Sequence, residues 1–428
     1  ELGVALGHQT RSKGARVLLA PTVNLHRSPL FGRSFECYSE DPLLSGKLAA
    51  SFIRGVQSRG VATTVKHFVG NDTEFERMTI DSQIDERTLR EMYLLPFEHA
   101  VRDAQVMSIM TSYNRINGPY AADSTWLLRD VLRGEWKFDG MVVSDWFGLH
   151  STVEGVVAGL DLEMPGPTLH RGDALVAAVE RGEVSADLVR DCARNILNLM
   201  ERTGGTGVPP GPEISRTDAD DMATLRRASS SSMVLLRNES IGGTPVLPLD
   251  VRGLTSIAVL GPNASRGMVQ GGGSAHVTPT HVSHPLDAVT ERLGSSVRIE
   301  HSAGCNINKK LPELDARLLQ NVSLDYYRDP AELDDASAVP AEAGTTGVFR
   351  LLWAGDPLNR REPNFAFGAR LAAQLTPDRT GEWVFSIESV APVRIILDGV
   401  TVLDNADVPS GGSFFGMGKP ETLVNIDL

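Results

Sequence analysis

In GMVVSDWFG, residues 140 to 148, four residues that read as the end of a buried β-strand, Gly140 to Val143, run straight into Asp145 and Trp146. Gly148 then permits a sharp turn. A carboxylate beside an indole suits a nucleophile that attacks the anomeric carbon of a sugar while the indole stacks on the apolar face of the ring. A capping aspartate for the next helix is the plainer reading, and spacing alone leaves the two level.

Three other stretches carry residue types that could serve such a group. GRSFECYSEDP, residues 32 to 42, offers Arg33, whose forked donors fit vicinal hydroxyls and hold nearby carboxylates ionised. Its neighbours Glu36, Glu40 and Asp41 read as scaffold, with structural ion pairs to Arg33 as the alternative role of the arginine. TTVKHFVGND, residues 63 to 72, sets Lys66 beside His67, two donors for sugar hydroxyls, and a lysine there favours the ionised form of a nearby aspartate. In SYNRINGP, residues 112 to 119, Tyr113 could hydrogen-bond the nucleophile or simply fill the core.

These groups need a frame that brings them together. Apolar runs at Val17 to Ala20, Val61 to Val65, Val106 to Met110 and Met141 to Val143 read as buried parallel strands. Helical periods lie between them: Leu44, Leu48, Phe52 and Val56 before Gly60, then Leu89, Met92 and Val101 behind an Asp85 cap, and finally Ala186 to Met200. The alternation predicts an α/β fold with a parallel sheet, either a closed (β/α) barrel or an open doubly wound sheet. Polar groups follow each strand: Lys66 and His67, Tyr113 and Asn114, Asp145 and Trp146, Asp161 and Glu163. A barrel converges those ends on one mouth, so the barrel is the expectation.

Residues 1–203 are therefore assigned to a TIM-like (β/α) barrel lacking its first strands, and 204–228, rich in Gly and Pro, to a linker. Residues 229–314 read as the first part of an α/β sandwich, with SSMVLLRN, SIAVLGPNA and SVRIEHSAG as strands and QGGGSAHVTP as a loop. That loop lacks the spaced lysine of a phosphate-binding loop, so no nucleotide is assigned to it. From 315 to 428 the pattern turns all-β, an inserted β-sandwich with strands at GVFRLLWAG, FGARLAAQL, GEWVFSIES and VRIILDGVTVL and a hairpin at Asp398-Gly399. Both termini fall inside regular-looking segments, which predicts a piece of a longer polypeptide.

Composition excludes several classes. The 41 Lys+Arg against 54 Asp+Glu give a formal charge of -13, which argues against nucleic acid or an anionic membrane as partner. Cys37, Cys192 and Cys305 are too far apart for a zinc-ligand spacing and odd in number for a disulfide framework, so buried free thiols are expected. No apolar run is long enough to span a bilayer. The expected localisation is that of a soluble protein, bacterial, cytoplasmic or secreted.

The motifs GRSFECYSEDP, KHFVGNDTEFER, DERTLREMYLLPFE, SYNRINGPYAADS, GMVVSDWFG and AGLDLEMPG occur in the order and spacing that resemble the β-glucosidase branch of glycoside hydrolase family 3. The resemblance covers residues 1 to about 305. It implies a barrel followed by an α/β sandwich, and a retaining exo-acting hydrolysis of terminal β-D-glucose through a covalent intermediate. It makes Asp145 resemble the nucleophile, and Arg33, Lys66, His67, Tyr113 and Trp146 the groups that bind the glycone. Neither metal nor cofactor is implied. A β-glucoside or oligosaccharide is the implied substrate, and a homodimer is compatible with the family.

The family's N-acetylglucosaminidase branch carries an Asp-Ser-His signature after its Lys-His motif. NDTEFERMTIDSQ has no histidine, which favours the glucosidase branch. The all-β segment resembles the protective-antigen-like domain inserted in some of these enzymes, without paired aspartates for calcium. The family's acid/base glutamate is expected beyond residue 428 and its early glycone-binding aspartate before residue 1. A β-xylosidase with the same chemistry, and a non-catalytic carbohydrate-binding relative, remain the alternatives.

Overall fold

The computed structural model describes residues 1–207, 211–347, 349, 351–353, 356–358, 360, 366–412 and 417–428. The chain divides into two compact units, Glu1–Ala303 and Gly304–Leu428.

The first unit is built on a parallel sheet of β1 (Val17–Leu18), β2 (Ala62–Phe68), β3 (Ser108–Thr111) and β4 (Met141–Val143), which lie side by side in chain order. Neighbouring strands that follow one another in sequence must be joined by crossovers that all wind in one direction. An isolated parallel bridge, Val143 to Leu162, continues the series beyond β4. β3 and β4 are buried at every position, as strands covered on both faces must be.

The helix α1 (Leu2–Ser12) and the helix α2 (Pro42–Gln57) pack together through small residues. A Cβ on Gly55 would fall 3.0 Å from Gly3 Cα, and one on Gly46 would fall 2.6 Å from the His99 ring on α3 (Leu95–Arg102). This corrects the apolar stripe expected for α2. The face it buries is Ser45, Gly46, Ala49, Ala50, Ile53 and Val56, while Leu44 and Leu48 stay exposed. Close approach of two helix backbones selects small side chains, which a search for large apolar residues passes over. Asp41 caps α2, its carboxylate accepting from the N–H groups of Leu43 (2.8 Å) and Leu44 (3.2 Å). Asp85 accepts from Thr88 N–H at 3.0 Å, as expected, and Leu89 and Val101 behind it are buried while Met92 is exposed. The helix α4 (Ala186–Arg202) follows the sheet.

Past residue 204 the expected linker gives way at Ala219 to a helix, α5 (Ala219–Ser232). The strand expected in SSMVLLRN does not form: Ser231 and Ser232 end α5, and Met233 to Leu236 are exposed and outside any strand. A strand exists only through its ladder, and among the described residues this run has no neighbour to pair with. β5 (Ser256–Leu260), the helix α6 (Pro285–Leu293) and β6 (Arg298–Ser302) form one β-α-β unit whose two strands pair in parallel, Ser256 with Arg298 through Leu260 with Ser302.

The second unit is antiparallel β. Its strand β7 (Leu319–Tyr327) is flanked by β8 (Glu342–Gly344) and β9 (Gly368–Leu375). Sequence reading passed over β7 because LQNVSLDYY mixes polar and apolar residues without clean alternation. β10 (Glu382–Ser389) pairs with β13 (Lys419–Asp427), and β11 (Arg394–Leu397) with β12 (Val400–Asp404) across Asp398 and Gly399. Both of those turn residues have positive φ, 48° and 82°, which is what the tight hairpin requires. The strand expected at GVFRLLWAG falls partly outside the described residues, and Leu351 to Trp353 lie in no strand. Among the described residues no helix is long and apolar enough to cross a membrane.

Candidate active site

The polar residues at the ends of β1 to β4 converge on Asp145. Tyr113, two residues past β3, donates its hydroxyl to Asp145 Oδ1 at 2.9 Å. The Trp146 backbone N–H donates to the same oxygen at 2.7 Å. Oδ2 is buried and has no hydrogen-bond partner among the described residues; His67 Nε2 lies 3.5 Å from it. One oxygen is thus fixed twice and the other left open.

The turn that places Asp145 is tight. Gly148 N–H donates to the Asp145 carbonyl at 2.9 Å, and Phe147 takes the positive φ, 63°. Gly148 is needed for room rather than for its φ, since a Cβ there would lie 3.2 Å from both Asp145 O and the Tyr113 ring. At the other end of β4, a Cβ on Gly140 would lie 2.4 Å from the Met107 carbonyl. The strand that carries Asp145 therefore sits against its neighbour with no space for a side chain.

Lys66 and His67 lie within β2, where the ladder with β3 shifts register between Val65 and Phe68. Such an irregularity re-aims side chains at a sheet end. His67 is 2% exposed. Its backbone N–H donates to Asn24 Oδ1 at 2.9 Å, and the same oxygen faces Nδ1 at 3.1 Å, so Nδ1 carries the ring proton. Nε2 then accepts from Arg33 Nη1 at 2.9 Å. Burial, with Arg33, Lys66 and Arg77 close by, holds the imidazole far below its usual titration range, so it is neutral.

Arg33 is buried and gives its Nε to Glu36 Oε1 at 2.5 Å. Glu36 also accepts from Thr22 at 3.0 Å. Burial pushes the Glu36 carboxyl up, but Arg33, Lys66 and Thr22 outweigh it and the net shift is downward. Glu36 is thus a scaffold carboxylate that fixes Arg33. Lys66 differs: among the described residues its ammonium has no hydrogen-bond or ion-pair partner, and burial, helped by Arg33, lowers its pKa. Asp145 feels burial most. That pushes its carboxyl above the ordinary range, against Trp146 N–H, Tyr113, Arg33 and Lys66, which all favour the ion.

The structure brings Arg33, His67, Tyr113, Asp145 and the Trp146 backbone into one linked set, with Lys66 coupled to it through its charge. The Trp146 indole packs against the cluster of Met110, Met141 and Val143 and is half-buried. Asp161 and Glu163 do other work. Asp161 binds Arg133 (2.7 Å), Val142 N–H (2.7 Å) and Asn195 (2.9 Å), and Glu163 accepts from the N–H groups of Leu169, His170 and Arg171. Both are loop anchors.

Asn24 went unnoticed in the sequence. It lies two residues past the isolated Thr22–Lys66 bridge, as Tyr113 lies two past β3, so the same rule of polar residues past a strand end points to it. Glu74 and Arg77, from the segment after β2, also reach the site: Arg77 donates to Glu74 at 2.6 Å and lies over the Tyr113 ring. The glycine-rich loop reaches the Arg33 turn too, since a Cβ on Gly271 would fall 2.2 Å from the Phe35 ring. Cys37 and Cys192 are half-buried thiols whose pKa burial pushes up to about 12 and about 11, whereas Cys305 is exposed, contrary to expectation. Its position in a run of exposed residues outside any helix or strand explains the difference. Among the described residues no group of three or more His, Cys, Asp or Glu is placed to hold a metal ion.

Comparison with known proteins gives consistent findings. The glycosyl hydrolase family 3 N-terminal domain matches residues 1–199, and the C-terminal domain of the same family matches residues 233–397. A β-glucosidase of Rhizobium radiobacter is 45% identical over 422 residues, 98% of this chain and 50% of that protein. The structure of a Kluyveromyces marxianus β-glucosidase in complex with glucose aligns with a TM-score of 0.85 at 32% identity, covering 100% of this chain and 52% of that one. A Thermotoga neapolitana β-glucosidase structure with glucose aligns at 0.62 and 38% identity, covering 70% of this chain and 41% of that one. The chain spans about half the length of the curated relatives it matches.

Proposed function

The chain belongs to glycosyl hydrolase family 3, and from that premise we propose that the intact protein is a retaining, exo-acting β-glucosidase with Asp145 as nucleophile. The observation that carries the reading is the asymmetry of the Asp145 carboxylate, with Oδ1 held by Tyr113 and Trp146 N–H and Oδ2 buried without a donor among the described residues. An oxygen relieved of hydrogen bonds is the better nucleophile, and two donors on its twin favour the ionised form against the burial that raises its pKa.

In the proposed reaction Oδ2 attacks the anomeric carbon of a terminal β-D-glucosyl residue and the bond to the leaving oxygen breaks. The leaving oxygen takes a proton from a second carboxyl. Water then cleaves the glycosyl ester, the same carboxyl removing its proton, and β-glucose is released. We assign the acid/base role, as the family resemblance has it, to a glutamate of the family's second domain. Lys66, whose ammonium is unpaired among the described residues, and Arg33 bind glycone hydroxyls, Trp146 stacks on the sugar, and His67 orients Arg33 while presenting no positive charge.

The same premise makes β1 to β4 part of a (β/α) barrel, supported by parallel strands neighbouring one another in chain order. A doubly wound sheet reverses its order at a switch point. The β-α-β unit of β5, α6 and β6 then begins an α/β sandwich, and residues 304–428 are an inserted module. In support of the insertion, the Thermotoga protein aligns with about the share of the chain that residues 1–303 make up. The testing experiment is peptide mass spectrometry after treating the full-length protein with an activated 2-deoxy-2-fluoro-β-glucoside. A glycosyl adduct on the peptide containing Asp145 is expected; an adduct elsewhere, or none, overturns the assignment.

A further inference from the structure

The segment NDTEFER, residues 71 to 77, brings two charged side chains to the site that the proposed reaction leaves without a task. The Arg77 guanidinium carbon is 4.8 Å from the centre of the Tyr113 ring. Its Nη1 donates to Glu74 Oε2 at 2.6 Å, and each side chain of the pair is only 26% exposed. Glu74 itself lies against the Arg33 turn: a Cβ on Gly32 would meet Glu74 Cγ at 3.4 Å. The chain of contacts therefore runs from the Arg33 turn through Glu74 and Arg77 to the face of Tyr113, and from the Tyr113 hydroxyl to Asp145 Oδ1.

We propose that Arg77, held by Glu74, is a positioning residue that acts through Tyr113, pinning its ring and strengthening the hydrogen bond its hydroxyl gives to Asp145. The inference rests on the glucosidase reading above. A cation over an aromatic face draws on the ring's electron density and fixes the ring's place beneath it. A phenol so polarised donates more strongly to a carboxylate. Burial and the neighbouring Asp145 drive the Tyr113 phenol up from its ordinary range, and Arg77 opposes them. Arg77 does not touch the reacting atoms in this scheme; its charge also bears on His67, and the proposed effect on Asp145 passes through Tyr113.

The test is a double-mutant cycle in the full-length enzyme, with kcat/KM for 2,4-dinitrophenyl β-D-glucoside followed against pH. That leaving group needs no proton, so the acid limb reports the nucleophile. Arg77→Met is expected to lower kcat/KM about 10-fold and move the acid limb upward, with Arg77→Lys restoring part of both. In a Tyr113→Phe background the same substitution should lower kcat/KM by less than about 2-fold further, the signature of coupling between the two residues. Glu74→Gln, which keeps the shape and removes the charge, should show the same dependence on Tyr113 to a smaller degree, and serves if Arg77→Met does not fold. An effect of equal size with and without the Tyr113 hydroxyl, or an unmoved acid limb, overturns the proposal while leaving the glucosidase reading intact. A wild-type enzyme that neither cleaves the glucoside nor takes a fluoroglucosyl label overturns both.

Discussion

Tyr113 donates its hydroxyl to Asp145 Oδ1 across 2.9 Å, joining the end of β3 to the end of β4 through two buried side chains. The bond links residues 32 positions apart, and it is possible only because β3 and β4 pair in parallel with Met110 beside Val143. Strand register therefore sets the geometry of the proposed nucleophile.

Tyr113→Phe removes one of the two donors on Oδ1 and leaves the ring in place. A hydrogen bond to a charged group is worth about 1.5–3 kcal/mol, so kcat/KM for an activated glucoside should fall about 10- to 150-fold. Because the lost donor had favoured the ion, the acid limb should also move to higher pH. Steady-state kinetics across pH check both.

Asp145→Ala should abolish turnover, by at least about 10⁴-fold in kcat, as removal of a nucleophile does. Far-UV circular dichroism should be unchanged. Wild-type-like turnover would remove Asp145 from the mechanism.

Burial raises the Asp145 carboxyl above its ordinary value of about 3.9. An acid whose folded pKa lies above its unfolded one binds its proton more tightly when folded. The stability it contributes is present below the unfolded value and lost as pH rises through the raised folded value. Asp145→Asn keeps an acceptor for Tyr113 and Trp146 N–H but cannot ionise. It should therefore melt at or above the wild-type temperature at pH 7, with the difference closing below pH about 4. Thermal unfolding at the two pH values measures this, and a clearly lower melting temperature for the variant at pH 7 would contradict it.

Gly140→Ala places a Cβ 2.4 Å from the Met107 carbonyl and 2.5 Å from the Phe138 ring. Since a backbone oxygen cannot step aside cheaply, the variant should be destabilised by about 1–3 kcal/mol, the usual range for overpacking. Urea unfolding would register this as a lower midpoint at an unchanged slope.

Much of the site can be read from residue types placed past apolar runs. Lys66, His67, Tyr113 and Asp145 all stand at sheet ends, and the rule needs only the period of the strands. Asn24 obeys that rule but looks ordinary until its partner, 43 residues away, is known. Arg77 obeys no local rule, because its place over Tyr113 depends on how the segment after β2 folds back. The same limit explains α2, whose buried face is made of glycine and alanine that no apolar period marks, and Met233 to Leu236, whose strand-like composition finds no ladder. Local pattern names candidates; packing decides which face, which partner and which oxygen.

The two oxygens of Asp145 are not interchangeable. A carboxylate gripped on one side by a phenol and a peptide N–H cannot swivel to follow a misplaced ligand, so in the proposed reaction the sugar must come to Oδ2. Discrimination between substrates then begins as a matter of posture: a ring that rests elsewhere in the mouth binds without reacting, and the stillness of one side chain does the sorting.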